Sequence, residues 1–269
     1  MTPEAAKRLE GFFRGFSRRA RPLLLLDYDG TLASIRVDRF KAGPWAGVRE
    51  LLGRIQEQGR TRLAVITGRP AAEIAPLLAL EPPLEVWGLH GAERLYPDGR
   101  RELEQAPAAT QVKLEELRER LRRDSLGGLF EDKANGVVIH WRGASRRKAE
   151  QIEQRTRALF EPLARLEGLA PLDFDAGLEL RVGRNKGGAV EAILAEAGAG
   201  AGSRADCPVA YLGDDLSDEA AFRAVNQVGP RGLSLLVRRE WRETAAAVWL
   251  RPPTELKSFL ERWLSACSH

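Results

Sequence analysis

Short apolar runs that end in polar or glycine-containing turns, each followed by a helical pattern, constrain the fold of this chain more than any other feature. Such runs occur in "RPLLLLDYDG" (residues 21–30), "RLAVITGRP" (62–70) and "PVAYLGDDLSDEAAF" (208–222). Nearly continuous apolar strands that alternate with helices are typical of a parallel sheet covered on both faces. The sequence therefore predicts an α/β fold with a Rossmann-like parallel-sheet core.

The ends of these predicted strands carry the polar side chains that are best placed for chemistry. In parallel α/β sheets, ligands bind at the carboxyl ends of the strands. We therefore expect five side chains to lie along one edge of the sheet: Asp27, Asp29, Thr67, Asp214 and Asp215.

The middle third of the chain interrupts the alternation of strands and helices. Helical patterns at residues 109–123 and 145–167 flank "GLFEDKANGVVIHWRG" (128–143), in which an Asn-Gly pair separates two strand-like runs and predicts a β-hairpin. Together with the strand-like "PLDFDAGLELRVG" (171–183), these elements predict a small α+β cap inserted into the core. The predicted domain ranges are 1–103 for the first part of the core, 104–180 for the cap and 181–269 for the second part of the core.

Composition and charge exclude several classes of function. Apolar residues make up 43% of the chain and charged residues 30%, which is typical of soluble globular proteins. The net charge of +4 is modest, and the sequence has neither a nucleic-acid-binding motif nor an apolar run of membrane-spanning length. Cys207 and Cys267 have neither the spacing of a metal site nor the number for a disulfide framework. We therefore expect a cytoplasmic protein without a nucleic-acid or membrane partner.

The segment "LLLLDYDGTL" points two carboxylates away from the end of an apolar strand. Asp27 and Asp29 lie two residues apart, so in an extended segment both side chains leave the same side. Repulsion and desolvation make such a pair costly unless a cation or a shared proton stabilises it, and Mg²⁺ prefers carboxylate oxygens. Gly30 allows the chain to turn sharply behind the pair. An Asx-turn or a helix cap after a buried strand is the alternative interpretation of this segment alone.

Three further segments carry residues suited to binding phosphate and metal. "VITGR" supplies the hydroxyl of Thr67, "GRNKGGA" supplies Lys186 at a helix start, and "YLGDDLSDE" supplies three carboxylates, those of Asp214, Asp215 and Asp218. Taken singly, these are a helix cap, a surface lysine and an acidic helix start. Together they can neutralise the charge of a phosphoryl group and of a bound cation.

"DYDGT", "TGR", "NKGGA" and "GDDLSDE" resemble the four motifs of the haloacid dehalogenase-like phosphohydrolases. The resemblance implies that Asp27 attacks phosphorus, forms an aspartyl-phosphate and binds Mg²⁺. It also implies that Asp29 is the general acid and base, with its backbone carbonyl on the metal. One carboxylate therefore performs the attack, and the other transfers protons.

The same resemblance assigns roles to the remaining motif residues. Thr67 and Lys186 are expected to hold the phosphoryl group, and Asp214 to complete the Mg²⁺ site. Asp215 and Asp218 are expected to support these residues.

The segments "GLHGAER" (88–94), "EDKANGVVIHWR" (131–142) and "ELRVGRNKGGA" (179–189) resemble the trehalose-6-phosphate phosphatases within that superfamily. The sequence departs from their pattern at Trp141 and Val182, which replace Tyr and Pro beside predicted sugar contacts. The predicted substrate-binding residues are Gly68, Arg69, His90, Glu131, Lys133, His140, Arg142 and Glu179.

The resemblance implies a Mg²⁺-dependent phosphatase that hydrolyses trehalose 6-phosphate through an aspartyl-phosphate, beside a trehalose-6-phosphate synthase. Two alternatives remain open: a phosphatase for glucosylglycerol-, mannosylglycerate- or sucrose-phosphate, and a sugar phosphomutase. A non-catalytic module predicts loss of Asp27, Asp29, Lys186 or Asp214, and all four are present.

Overall fold

The computed structural model describes the following parts of the chain: residues 2–17, 21–123, 126–133, 136–166, 168–174, 176–198 and 207–268. The chain forms two compact units. Unit 1 comprises Met1–Glu102, Lys186–Asp214 and Asp218–His269, and unit 2 comprises Leu103–Asn185 and Asp215–Ser217.

The regular elements alternate in unit 1 and cluster by type in unit 2. The α-helices are α1 (Pro3–Arg14), α2 (Val48–Glu57), α3 (Ile74–Leu78), α4 (Ala108–Arg123), α5 (Arg146–Phe160), α6 (Lys186–Glu196), α7 (Glu219–Asn226) and α8 (Thr254–Ser268). The strands are β1 (Leu23–Leu26), β2 (Arg62–Ile66), β3 (Glu85–Gly88), β4 (Glu93–Leu95), β5 (Arg101–Leu103), β6 (Phe130–Lys133), β7 (Gly136–His140), β8 (Leu169–Phe174), β9 (Gly177–Val182), β10 (Val209–Gly213), β11 (Gly232–Val237) and β12 (Val248–Leu250).

Unit 1 is built on an eight-stranded sheet in the order β12-β11-β10-β1-β2-β3-β4-β5. The strands from β12 to β3 are parallel, and β4 pairs with β3 in the antiparallel direction. β1 lies between β10 and β2, so the residues that follow these three strands meet at one edge of the sheet. This edge is where a parallel α/β sheet places its ligands.

The run of four leucines forms β1, and its side chains enter two different hydrophobic clusters. Leu24 and Leu26 pack with α1, α2 and α8 on one face. Leu23 and Leu25 pack with α6 and α7 on the other face. Because successive strand residues point to opposite faces, only a continuous apolar run can fill both layers.

Unit 2 contains a four-stranded antiparallel sheet in the order β6-β7-β9-β8. Apolar residues of α4 and α5 form one cluster with Val137 and Ile139 of β7 and with Leu178 and Leu180 of β9. Along β9 the apolar residues alternate with Glu179 and Arg181, which therefore lie on the opposite face of the sheet.

The predicted α/β fold, with its parallel-sheet core and smaller inserted α+β unit, is confirmed. Asn135 of the predicted Asn-Gly turn lies outside the described residues, whereas Gly136 begins β7 and the two strands of the hairpin pair as antiparallel neighbours. The predicted cap range of 104–180 falls within the segment Leu103–Asn185 of unit 2 and stays a prediction. Among the described residues, every helix is too short or too polar to cross a membrane.

Candidate active site

The carboxyl ends of β1 and β10 bring Asp27 and Asp214 to the same edge of the unit 1 sheet. Leu26, the last residue of β1, pairs with Leu212 of β10, and the backbone N–H of Asp27 donates to the Leu212 carbonyl (2.8 Å). Thr67 follows β2, the neighbour of β1 on the other side. The predicted meeting of these side chains therefore follows from the register of three parallel strands.

A tight turn after Asp27 is closed by its own backbone and depends on a glycine. The Gly30 N–H donates to the Ala33 carbonyl (2.8 Å), and the Thr31 hydroxyl donates to Asp27 Oδ2 (3.1 Å). Gly30 has a φ of +85°, and a Cβ at this position would lie 1.9 Å from Asp214 Oδ2. Gly30 is needed both for the left-handed backbone and for the space that the Asp214 carboxylate occupies.

Lys186, at the start of α6, joins two buried carboxylates. Its Nζ lies 2.7 Å from Asp27 Oδ1 and 2.8 Å from Asp218 Oδ1. Burial by itself would lower the pKa of this ammonium, but Asp218 and Asp27 outweigh burial and raise the pKa above its ordinary value. Lys186 is therefore a fixed positive charge beside the Asp27 carboxylate.

Asp218 is fully buried and accepts hydrogen bonds from three different groups. Besides Lys186, the Tyr211 hydroxyl donates to Oδ1 (2.6 Å) and the Asp214 N–H donates to Oδ2 (2.9 Å). Burial and the nearby Asp218 raise the pKa of Tyr211 well above its ordinary value, which keeps the hydroxyl proton in place as a donor. Asp218 thus connects the lysine to the Asp214 loop.

Three carboxylates of unit 1 could hold a metal ion. Asp27, Asp214 and Asp218 each offer one oxygen, and these oxygens lie within 4.8 Å of one another. Burial, together with repulsion from Asp218, raises the pKa of Asp27 to about 7 against the opposing effect of Lys186. A buried carboxylate that resists ionisation in this way is stabilised by a cation, and an all-oxygen donor set suits a hard divalent ion. The residues therefore fit Mg²⁺ in the chemistry of their donors.

Arg69 of the "TGR" segment binds Asp29 through two parallel hydrogen bonds. Its Nε lies 2.6 Å from Asp29 Oδ2, and its Nη2 bonds Oδ1. The third nitrogen, Nη1, donates to the backbone carbonyl of Arg39 (2.6 Å). The sequence predicted Arg69 as a substrate contact, whereas the described geometry directs its guanidinium to the second carboxylate of "DYDGT".

The turn after β2 lies against a strained segment that contains His90. The His90 N–H donates to the Thr67 carbonyl (2.7 Å), and a Cβ on Gly68 would lie 2.7 Å from the His90 ring. Leu89 and His90 have φ values of 49° and 56°, in the left-handed region that costs non-glycine residues energy. Tertiary contacts rather than local preference therefore bring His90 beside the predicted phosphate-holding turn.

The polar face of the unit 2 sheet carries the predicted sugar-binding residues. Glu131 of β6 and Glu179 of β9 both lie opposite Val138 of β7, which puts their side chains on the same face. Lys133 Nζ binds Glu179 Oε2 (2.9 Å), and His140 Nε2 binds Glu131 Oε2 (2.7 Å). The structure thus joins four of the predicted residues into two hydrogen-bonded pairs.

The two remaining predicted residues of unit 2, Arg142 and Asp215, lie outside the strands of its sheet. Arg142 is exposed in the turn after β7, and Asp215 is half-buried in the short loop that follows Asp214. Trp141 and Val182, the two departures from the family pattern, pack in the hydrophobic cluster formed with α4 and α5. They lie with the apolar side of the sheet rather than with the polar face.

Two residues of these sites were missed by sequence reasoning. Tyr211 lies inside an apolar strand and carries no motif signal. Arg181 is fully buried, its Nη2 donates to the Arg184 carbonyl (2.8 Å), and burial lowers its pKa to about 10 despite the nearby Glu179 and Glu104. Its position two residues after Glu179, on the polar face of β9, is the signal that could have identified it.

The parallel sheet of unit 1, with its carboxylates at one edge, is similar in fold to haloacid dehalogenase-like proteins. A haloacid dehalogenase-like hydrolase from Bacteroides thetaiotaomicron is similar with a TM-score of 0.61 at 17% identity, over 90% of this chain and 99% of that one. Two crystal forms of Aspergillus fumigatus trehalose-6-phosphate phosphatase are more similar. Form 3 has a TM-score of 0.75 at 24% identity, covering 96% of this chain and 97% of that one. Form 2 has a TM-score of 0.72 at 25% identity, covering 98% of both chains.

The family model described as trehalose-phosphatase matches residues 25–245, and the chain belongs to that family. The trehalose-phosphate phosphatase of Mycolicibacterium paratuberculosis is 33% identical over 271 residues, and that of Mycobacterium tuberculosis (strain CDC 1551 / Oshkosh) is 31% identical over 268 residues. Each alignment covers 97% of this chain. The chain spans 66% and 65% of the length of these relatives, slightly less than two thirds.

Proposed function

We propose that this protein is a Mg²⁺-dependent phosphatase that hydrolyses trehalose 6-phosphate to trehalose and inorganic phosphate. The buried Asp27–Lys186–Asp218 centre at the ends of β1 and β10 is the observation that carries the proposal. Membership of the trehalose-phosphatase family supports the choice of substrate.

In the proposed first step, a carboxylate oxygen of Asp27 attacks phosphorus. A bond from Asp27 to phosphorus forms, the bond from phosphorus to the sugar oxygen breaks, and Asp29 gives its proton to that oxygen. Lys186 and Thr67 hold the phosphoryl oxygens, and the backbone at Gly68 can approach them closely. A Mg²⁺ ion held by Asp27, Asp214 and the Asp29 carbonyl would neutralise charge on the phosphoryl group.

In the proposed second step, water attacks the phosphorus of the aspartyl-phosphate. Asp29, now ionised, takes a proton from the water as the bond between Asp27 and phosphorus breaks, so both carboxyl groups return to their starting states. Dividing the reaction in this way replaces one difficult displacement by two easier ones. Both Asp218 oxygens already accept hydrogen bonds from Lys186, Tyr211 or the Asp214 N–H, so in this scheme Asp218 supports the metal-binding loop, as does Asp215, and is not itself a ligand.

The polar face of the unit 2 sheet supports recognition of the sugar by that unit. Glu131, Lys133, His140 and Glu179 present donors and acceptors at neighbouring positions, and we propose that they pair with sugar hydroxyls together with Arg142. In unit 1, His90 lies beside the turn that contains Thr67 and Gly68, and we propose that it contacts the substrate there. This activity requires a supply of trehalose 6-phosphate, so we propose that the protein acts beside a trehalose-6-phosphate synthase.

A panel of sugar phosphates tests the proposal directly. Inorganic phosphate is measured with trehalose 6-phosphate and with glucosylglycerol-, mannosylglycerate- and sucrose-phosphate, after removal of metal and after addition of Mg²⁺. Release that favours trehalose 6-phosphate and depends on Mg²⁺ is expected. Preference for another member of the panel would replace the substrate, and transfer of the phosphoryl group within the sugar without its release would indicate a mutase.

The role of the polar face is tested by Glu131→Ala with a neighbouring carboxylate as control. Loss of a sugar hydrogen bond should lower kcat/KM for trehalose 6-phosphate by about 2–4 kcal/mol, roughly thirty- to a thousand-fold. Hydrolysis of an aryl phosphate, which has no sugar hydroxyls, should change little. Asp132 lies on the same strand but binds Arg118 and Arg122 of α4, so Asp132→Ala should spare both substrates. Equal losses on both substrates in Glu131→Ala would contradict sugar recognition by this residue.

A further inference from the structure

The guanidinium of Arg69 differs from that of a residue whose hydrogen-bond donors are directed at a substrate phosphate. Each of its three guanidinium nitrogens already donates a hydrogen bond, two to Asp29 and one to the Arg39 carbonyl. The guanidinium also lies over the Tyr28 ring, 5.6 Å from its centroid, and that ring is fixed by a bond from its hydroxyl to the Ala42 carbonyl (2.7 Å). The contacts of Arg69 are therefore made within the protein.

The two side chains of this ion pair differ in their exposure to solvent. The Arg69 side chain is 8% exposed, whereas the Asp29 side chain is 34% exposed. A reacting group that approaches the pair would therefore meet the carboxylate rather than the guanidinium. The fork occupies one lone pair on each Asp29 oxygen, and each oxygen keeps a second lone pair that can carry or accept a proton.

The segment that Arg69 contacts is anchored at its base but exposed at its tip. Bridges from Ala33 to Asp29 and to Pro44 close the base, and the Trp45 N–H donates to the Leu32 carbonyl (2.9 Å). Nη1 of Arg69 holds the far part of the segment through the Arg39 carbonyl. One guanidinium thus fixes both oxygens of Asp29 and the loop that follows it.

We infer that Arg69 is a positioning residue that acts through Asp29, holding the carboxylate plane in the orientation needed for proton transfer to the leaving oxygen and from water. This inference rests on the proposed function. It gives Arg69 a role that is exerted through Asp29 instead of the predicted direct contact with the substrate. A flexible carboxylate would spend most of its time in unproductive rotamers, and a bidentate arginine restricts it more than a lysine can.

The leaving group of the substrate distinguishes the two roles. An alkoxide leaving from trehalose 6-phosphate needs the proton that Asp29 supplies, whereas p-nitrophenolate leaves without one. In Arg69→Lys and Arg69→Met we expect the single-turnover phosphorylation rate with trehalose 6-phosphate to fall about a hundred-fold, the lower end of the contribution of a general acid. The burst of p-nitrophenol should fall less than about threefold, and inhibition by inorganic phosphate should keep its wild-type constant.

Two further comparisons keep the test independent of folding and of the proposed function. In an Asp29→Asn background, Arg69→Lys should add no further loss in single-turnover phosphorylation with trehalose 6-phosphate, because a residue that acts only through Asp29 has nothing left to position. Arg36→Ala removes an exposed arginine of the same loop and should behave as wild type. Phosphate release by the wild-type protein tests the function itself and is measured separately.

Three outcomes would overturn the inference. Equal losses for all leaving groups together with weaker inhibition by phosphate would assign Arg69 to the substrate phosphate. Additive losses in the Asp29→Asn background would show that it acts elsewhere. Unchanged rates in both Arg69 variants would show that the ion pair has no part in catalysis.

Discussion

Gly30→Ala introduces one methyl group at the point where the turn after β1 meets the Asp214 loop. The new Cβ would lie 1.9 Å from Asp214 Oδ2 and 2.3 Å from its Cγ. Ordinary non-bonded contact requires about 3.5 Å, so the carboxylate, the turn or both must move by about 1.6 Å. The substitution therefore displaces a proposed metal ligand without touching the ligand's own chemistry.

The expected loss has two parts that can be separated. Alanine at a φ of +85° costs about 1–2 kcal/mol of folding stability because its Cβ crowds the carbonyl oxygen. Displacement of Asp214 should in addition weaken Mg²⁺ binding at least 10- to 100-fold and lower kcat/KM by about a hundred-fold, since misplacement by about 1 Å has effects of this size.

Gly99→Ala is the matched control for this substitution. Gly99 has the same φ of +85°, and a Cβ there would meet nothing within 4 Å. It should share the loss of stability and keep full activity and Mg²⁺ affinity. Chemical denaturation gives the stability of each variant, calorimetric titration gives the Mg²⁺ affinity, and phosphate release gives kcat/KM.

The comparison of the two variants can refute the reasoning. If Gly30→Ala retains wild-type Mg²⁺ affinity and activity, Gly30 does not secure the position of Asp214. If Gly99→Ala loses activity to the same degree, backbone strain alone explains the effect.

The remaining predictions concern charge and packing. The raised pKa of Asp27 leaves this carboxyl mostly protonated below about pH 7, and metal binding needs the ionised form. The apparent Mg²⁺ affinity should therefore rise about tenfold from pH 6 to pH 8. A calorimetric titration that gives the same affinity at both pH values would contradict this. Asp218→Asn should lower the free energy of unfolding by about 3–5 kcal/mol, because it leaves Lys186 buried with one carboxylate. Tyr211→Phe removes one hydrogen bond to Asp218 and should lower the free energy of unfolding by about 1.5–3 kcal/mol. Equal losses in denaturant titrations would argue against this ordering. Trp141→Tyr, which alters the apolar cluster, should lower the melting temperature without changing the ranking of sugar phosphates in the phosphate-release panel.

The sequence by itself determined the sheet and the edge that carries the candidate site. A continuous run such as Leu23–Leu26 is stable only between two apolar layers, and parallel strands necessarily place their carboxyl ends together. The order of the motifs therefore predicted that Asp27 and Lys186, 159 positions apart in the chain, lie close together. The distances between their side-chain atoms were not predictable, because the position of helix α6 is set by packing rather than by local preference.

The tertiary structure decided what each polar side chain contacts. The sequence predicted Arg69 as a substrate-binding residue, and its contact with Asp29 arises only because β1 and β2 pair in the folded chain. Tyr211 has no polar pattern around it, and its bond to Asp218 depends on the turn that follows β10.

The same division applies to unit 2. Helical and strand-like patterns indicated its elements, yet the side of the sheet on which Trp141 packs depends on where α4 and α5 lie. Strand alternation fixes only that neighbours point to opposite faces. Which face becomes apolar core and which carries Glu131 and Glu179 is decided by strand register and helix packing, and both arise from contacts between residues far apart in the chain.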